Sequence, residues 1–407
     1  MNILSLSARN VMRNGHRSLV TTLAMAFACA MMIVFSSLME GFVEGSERNI
    51  VSMNTGDIQI HQYGYREDPD IYKQIRPSSD LVAAIRQAGF NATERYFAYG
   101  LMASDNSSAG VQLRGIDLDY ESTVTQINHH LQAGDWLNKT DPHGVVIGKK
   151  LARLLDVSIG DELIFVGQTS DGYTANDSFQ IRGILKSVSA AIDSSGIIMS
   201  NRMLQQLINL ADGAHEIAIM RSDRNTDLAA AVDTIDDLVP DNLEILNWKQ
   251  LMPVISQFLE TAQVQTKIML VFTYIAVASV VLNAMLMSVF ERIHEFGIMK
   301  AVGVRPWQLI RIIYAETLIQ TLFASVLGLL LGASITWYLE KNGLDLSSLS
   351  EGISFAGLAL DPVWYAALSL KSLFRPIVFL FVMTAIAVFY PAIKAAVIRP
   401  VDAIHYH

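Results

Sequence analysis

Few residue groupings in this 407-residue chain have the types needed for chemistry. His129 and His130 could serve a metal or a proton transfer, but adjacent residues point apart on a helix or a strand. No cysteine joins them at metal-ligand spacing, so they read as exposed loop histidines. The string "GVVIGKKL", Gly144–Leu151, is the nearest approach to a phosphate loop. Its glycine spacing is short, and a second lysine stands where a Ser or Thr would hold magnesium. No nucleophile-elbow string occurs. Asn91 and Asn138 begin Asn-X-Thr triplets of the kind that arise by chance. The one cysteine, Cys29, excludes an internal disulfide. An outward-facing enzyme therefore has no motif behind it, and nucleotide energy would have to come from another subunit.

The elements around these residues are dominated by apolar runs. Hydrophobic residues make up 51% of the chain and charged residues 17%, and the mean hydropathy is +0.33. Such values point to a membrane protein with a sizeable polar part. A hydrocarbon core of about 30 Å takes roughly 20 apolar residues. Leu19–Met39, Ile268–Phe290, Thr317–Leu339 and the shorter Ile377–Ile393 qualify. Arg9, Arg13 and Arg17 before the first run, with "AFACA" inside it, resemble a cleaved leader, but the run is longer than a leader's apolar region.

Basic residues set the orientation by the positive-inside rule. Arg9, Arg13 and Arg17 place the N-terminus in the cytoplasm. Arg292, Lys300, Arg305 and Arg311 do so for the segment between the second and third runs, and Lys394 and Arg399 for the C-terminus. The expected order is a cytoplasmic segment 1–18, spans at 19–41, 268–290, 317–339 and 376–393, a cytoplasmic segment 291–316 and a tail 394–407. Residues 42–266 and the loop 340–375 would face outward, with Trp337, Tyr338, Trp364 and Tyr365 as interfacial anchors. The 42–266 region holds 17 basic and 30 acidic residues. Phosphate binding requires a basic surface, so nucleic acid is excluded as a partner.

Within 42–266, "GDIQIHQYGY", "GVQLRGIDL", "GDELIFVG", "DSFQIRGIL", "SGIIMS" and "EIAIMRS" alternate like short strands. Asp80–Ala88, Leu204–Ala211 and Asp227–Val239 have the period of amphipathic helices, giving an α+β domain. Leu251, Val254, Ile255, Phe258, Leu259 and Ala262 form a helical stripe leading into the second run, a stalk that supports the domain or carries motion to it. The four apolar runs hold no Asp, Glu, Lys, Arg or His, which argues against an ion-driven transporter. Asn283 suits a hydrogen bond between helices. Ala324, Gly328 and Gly332 form a small-residue face suited to close helix packing or to lining a substrate path.

The segment "ERIHEFGIMKAVGVRPWQLIRI" is unlike a plain loop. Ile293, Phe296, Ile298, Met299 and Val302 can present apolar side chains to a partner's cleft. Glu291, Arg292, Glu295 and Lys300 can form a polar rim. Gly297 and Gly303 permit close approach or a sharp bend, and Pro306 suits a helix start. A helix lying on anionic lipid fits the same residues.

This segment resembles the signature of the FtsX/MacB superfamily of ABC transporter permeases. The matching residues are Glu291, Arg292, Glu295, Phe296, Gly297, Lys300, Ala301, Gly303 and Val304, with Ile310 and Glu316 following. Met299 lies within the same stretch. The ending "YPAIKAAVIRPVDAI" is similar to the family's C-terminal motif through Tyr390, Pro391, Ala392, Ala395, Ala396, Pro400 and Ala403. The start "LSARNVMRNGHRSLV" and Met39–Phe42 resemble the lipoprotein-releasing LolC/LolE branch. The resemblance implies four transmembrane α-helices, with a large α+β, MacB-like periplasmic domain between helices 1 and 2. It implies a non-catalytic subunit of the bacterial inner membrane, coupled through 291–304 to a cytoplasmic ATPase dimer. ATP and magnesium would be bound by that partner, with no cofactor in this chain. A second permease chain, identical or homologous, would complete the complex, and a periplasmic adaptor or lipoprotein could join it. With 18 residues before the first span, the chain departs from the layout in which the ATPase is fused at the N-terminus. An FtsX-like scaffold that activates an envelope hydrolase without transport is the alternative output.

Overall fold

The computed structural model describes residues 15–186, 188–210, 213–223, 226–345, 354–355, 358–359 and 363–397. Most of the expected N-terminal segment, much of the loop 340–375, and Pro400 and Ala403 lie outside them. The chain divides into two compact units. Met1–Gly45, Glu260–Leu349 and Pro362–His407 form one, and Ser46–Leu259 with Ser350–Asp361 form the other.

Among the described residues, four helices are long and apolar enough to cross a membrane. They run over Gly15–Ile50, Pro253–Phe290, Pro306–Asn342 and Leu370–Val397. Each is longer than its apolar run, the second at its N-terminal end only. In the first unit the third long helix packs closely on the first. A Cβ added to Gly328 would lie 2.6 Å from Cys29 Cβ and 2.8 Å from the Ala26 carbonyl oxygen. Ala324, Gly328 and Gly332 are all buried along this contact. Asn283, expected to suit a hydrogen bond between helices, is exposed on the second long helix of this chain. That helix is the least buried of the four.

The second unit is built on ten strands: β1 Ile58–Gln62, β2 Phe90–Ala103, β3 Ser108–Ile116, β4 Leu131–Gly134, β5 Gly144–Ile147, β6 Glu162–Gln168, β7 Thr174–Leu185, β8 Gly196–Ser200, β9 Glu216–Arg221 and β10 Leu243–Asn247. Their order is β10-β1-β9-β2-β3-β8-β5-β7-β4. β6 pairs with both β2 and β7, which closes β2-β3-β8-β5-β7-β6 into a ring. Met102, Leu113, Phe165, Phe179, Ile181 and Ile197 belong to the fully buried core of this ring. "GVVIGKKL" is β5 followed by the helix Lys149–Leu155. β2, β4, β5 and β10 were not expected from the alternation pattern.

The open part of the sheet, β10-β1-β9-β2, has two unlike faces. Ile58, Ile60, Ile217, Ile219 and Ala92 point to one side and pack on the helices Ser78–Gln87 and Leu228–Asp236. The other side carries a buried polar row. Glu244 stands opposite His61, and Arg95 opposite Glu216. The Arg95 guanidinium, fully buried, donates to Glu121 Oε1 at 2.6 Å, to Glu216 Oε1 at 2.6 Å and to the Asn54 carbonyl at 2.9 Å. Burial opposes its charge, but Glu121 and Glu216 hold it protonated, above its usual range. Asn54 also accepts from Arg114 through its side chain, at 2.6 Å. A single helical turn, Val51–Thr55, is thereby fastened to the sheet by two arginines.

An apolar cluster surrounds this attachment: Val51, Val124, Ala218, Met220, Trp248, Ile255 and Leu259. The expected stalk stripe is thus broken at its start. Leu251 ends a separate short helix, Trp248–Leu251, and the long helix begins at Pro253. Val254 turns outward at 61% exposure, Ile255 and Leu259 are buried one turn apart, and Phe258 is partly buried against the same cluster. Ala262 is half-buried.

His215 lies beside the polar row. Its Nδ1 accepts from the Phe97 backbone N–H at 3.1 Å, and its Nε2 faces the Ile71 carbonyl at 3.1 Å, an arrangement that fits only the neutral ring. Burial lowers its pKa from 6.5 to about 4. The folded value lies below the unfolded one, so the stabilisation is complete above the ordinary histidine range and is lost as pH falls toward 4. The loss amounts to about 3 kcal/mol. Thermal unfolding of the chain followed from neutral pH downward should show this decline, and His215→Gln should flatten it.

Candidate coupling site

The segment between the second and third long helices forms a helix, Ile293–Ala301, and a tight turn. The helix ends in a Schellman motif. The Gly303 N–H bonds to the Lys300 carbonyl at 3.0 Å and the Val304 N–H to the Met299 carbonyl at 3.0 Å. Gly303 has φ +102°, which an L side chain rarely adopts, so a glycine stops the helix here. No atom lies within 4 Å of where its Cβ would stand, so the turn projects into open space. Pro306 then opens the third long helix, and the Arg305 N–H is capped by Gln308 Oε1 at 3.0 Å.

The helix has two sides. Ile293, Phe296 and Gly297 are buried. Phe296 belongs to the bundle core with Met25, Leu309, Ile313, Val388, Ala392 and Ala395. Ile298 is 47% exposed, Val302 82% and Trp307 61%. Glu291, Ala301 and Gly303 are exposed too, while Met299 and Val304 are half-buried. The expected apolar stripe is therefore split. Ile293 and Phe296 fill the bundle, Met299 packs against it, and Ile298 and Val302 face out.

The expected polar rim is also divided. Arg292 donates to Glu295 Oε2 at 3.0 Å and makes a second, shorter ion pair with Glu316 of the third long helix. Its guanidinium lies over the Phe296 ring at 5.4 Å. Lys300 Nζ donates to the Ala396 carbonyl at 2.7 Å. Two of the four charged residues thus point into the bundle. The missed signal is the spacing of Ile293, Phe296, Gly297 and Lys300 at i, i+3, i+4 and i+7, one face of a helix. The C-terminal motif supplies the other side of this packing, since Pro391, Ala392, Ala395 and Ala396 are buried on the fourth long helix, whereas Tyr390 is exposed.

Among the described residues there is no group of three or more His, Cys, Asp or Glu that could hold a metal ion. His129 is exposed and His130 half-buried. The buried histidines are His61 and His215, both in strand contexts that conceal them from motif reading.

Comparison with known proteins covers both units. The profile of the MacB-like periplasmic core domain matches residues 18–238, and that of the FtsX-like permease C-terminal region matches 267–400. An uncharacterised ABC transporter permease of Methanocaldococcus jannaschii is 21% identical over 284 residues, covering 68% of this chain and 65% of that relative, just under two-thirds of its length. The lipoprotein-releasing system transmembrane protein LolC of Xylella fastidiosa is 23% identical over 305 residues, 72% of each chain. The crystal structure of the periplasmic region of MacB from Actinobacillus actinomycetemcomitans aligns at 17% identity with a TM-score of 0.38, over 53% of this chain and 97% of that one.

The two-sided helix makes a simple contrast. Phe296→Ala should cost the detergent-solubilised chain about 3–5 kcal/mol by leaving a core cavity. Val302→Ala should change stability by less than about 0.5 kcal/mol. Paired thermal melts measure both.

Proposed function

Since this chain belongs to the FtsX-like permeases with a MacB-like periplasmic core domain, ABC transporter permeases of the MacB and LolC/LolE type, we infer that it converts ATP hydrolysis by a separate cytoplasmic ATPase into movement of an extracytoplasmic domain. The observation that carries this reading is the exposed face of Ile298, Val302 and Trp307 around the Gly303 turn. Large apolar side chains on a helix, its C-cap and the start of the next helix, gathered around one turn, offer a compact anchor for a protein cleft. The basic residues Arg305 and Arg311 nearby support a cytoplasmic position.

On this reading the four long helices span the membrane, with both termini inside and the ten-stranded domain outside. ATP and magnesium bind the partner, and this chain supplies no catalytic group. Two permease chains, identical or homologous, stand over an ATPase dimer. Motion at the docking segment reaches the outer domain along the helices Gly15–Ile50 and Pro253–Phe290. The attachment of Asn54 by Arg95 and Arg114 supports this, because a helix end that delivers force must be fixed to what it moves. The substrate class is a lipoprotein or another hydrophobic envelope molecule, in keeping with the name of the LolC relative.

Docking is tested by placing a charge at its centre. Val302→Asp should reduce the ATPase recovered with the tagged chain from native membranes by roughly tenfold or more, as for a lost interface anchor of about 2 kcal/mol. Membrane insertion and melting temperature should be unchanged. Recovery at the wild-type level would exclude this face as the docking surface.

A further inference from the structure

The inward side of the coupling helix carries a separate consequence, which rests on the docking reading above. The segment is joined by the chain itself only to the second and third long helices. A displacement at Val302 would reach those two directly, and Arg292 adds a side-chain tie to the third through Glu316. The fourth long helix has no such covalent link. Lys300 gives it a polar contact with the segment, its ammonium donating to the Ala396 carbonyl at 2.7 Å.

Ala396 lies in the last described turn of the helix Leu370–Val397. The residue four positions on, whose N–H would serve the Ala396 carbonyl in a continuing helix, is Pro400, which has no N–H, so this carbonyl lacks its i+4 donor near the negative end of the helix dipole. Lys300 thus caps the fourth helix from outside it, with both a hydrogen bond and a favourable charge. The same last turns meet the segment through packing. Ala392 and Ala395 share the core with Phe296, and Lys394 lies over the Phe290 ring, at the end of the second long helix, at 4.6 Å. Further along, the Tyr314 hydroxyl donates to the Ala385 carbonyl at 3.0 Å, tying the third and fourth helices together.

We propose that Lys300 is a positioning residue that engages the C-terminus of the fourth long helix, so that movement of the docking segment is delivered to this helix as well as to the second and third. It acts through the helix end and not through the ATPase, which sets it apart from the outward-facing Val302 at the C-cap of the same helix.

The test uses the full chain in nanodiscs with its co-purified ATPase. Spin labels at the exposed residues Leu318 and Phe389 report the third and fourth helices. The readout is the change in their separation between the nucleotide-free and the ATP-vanadate states. Lys300→Met should leave ATPase recovery at the wild-type level while reducing the ATP-dependent change by roughly fivefold or more. Lys300→Arg, which keeps the charge and a donor, should restore it. A full distance change in Lys300→Met would overturn the proposal. Loss of the ATPase from Lys300→Met would overturn it too, by making Lys300 a docking residue. In the chain alone, a label at Val397 should become more mobile in Lys300→Met and not in Lys300→Arg. Unchanged mobility there would refute the cap irrespective of the ATPase, whereas normal ATPase recovery with Val302→Asp would refute only the docking reading.

Discussion

The ion pair between Arg292 and Glu316 is the constraint on which the coupling segment depends. Glu316 is 6% exposed and is the one ionisable side chain among the buried residues of the helix Pro306–Asn342. A buried carboxylate without a partner is costly, and removing one member of such a pair costs about 3–5 kcal/mol. The segment therefore cannot lift away from the bundle as a free loop. Phe296 and Lys300 add a filled core position and a helix cap to the same attachment. With one side of the helix committed in this way, Ile298, Val302 and the Gly303 turn are held outward. The exposed apolar face follows from the buried ion pair on the other side.

The ten-stranded unit follows the same rule with a different arrangement. A sheet face lined by His61, Glu216 and Arg95 is buried instead of solvated, and it is tolerable only because each charge is answered. Glu121 and Glu216 both take Arg95, and the remaining donor goes to the Asn54 carbonyl. A polar interior of this kind has directional bonds, so it fixes the turn Val51–Thr55 at one register on the sheet. The surrounding apolar cluster of Trp248, Ile255 and Leu259 would by itself allow sliding.

Much of this organisation is legible in the sequence, because length and period are local properties. Four apolar runs found their helices, and six alternating strings found their strands. The failures have physical causes. β2 was hidden because its buried positions include Thr93 and Arg95, which alternation reads as solvent-facing. The closure of the ring through β6 is a pairing between residues about sixty positions apart, which no local pattern encodes. β5 is too short to show a period, and its glycines drew it toward a phosphate loop. In the coupling segment the residue types are legible but not the side of the helix each takes. Arg292 and Lys300 look like rim charges until a buried glutamate and a helix end supply their partners. Asn283, a polar residue in an apolar run that suggests a hydrogen bond between helices, is exposed in this chain.

The account stands or falls on whether the outward face of the Ile293–Ala301 helix meets an ATPase. A photo-reactive amino acid at Val302, activated in intact membranes, addresses this without purification. The account predicts one dominant cross-linked product containing an ABC ATPase, absent when the same probe replaces the buried Phe296. Cross-linking of Val302 to lipid alone would contradict it and would make the segment an interfacial helix.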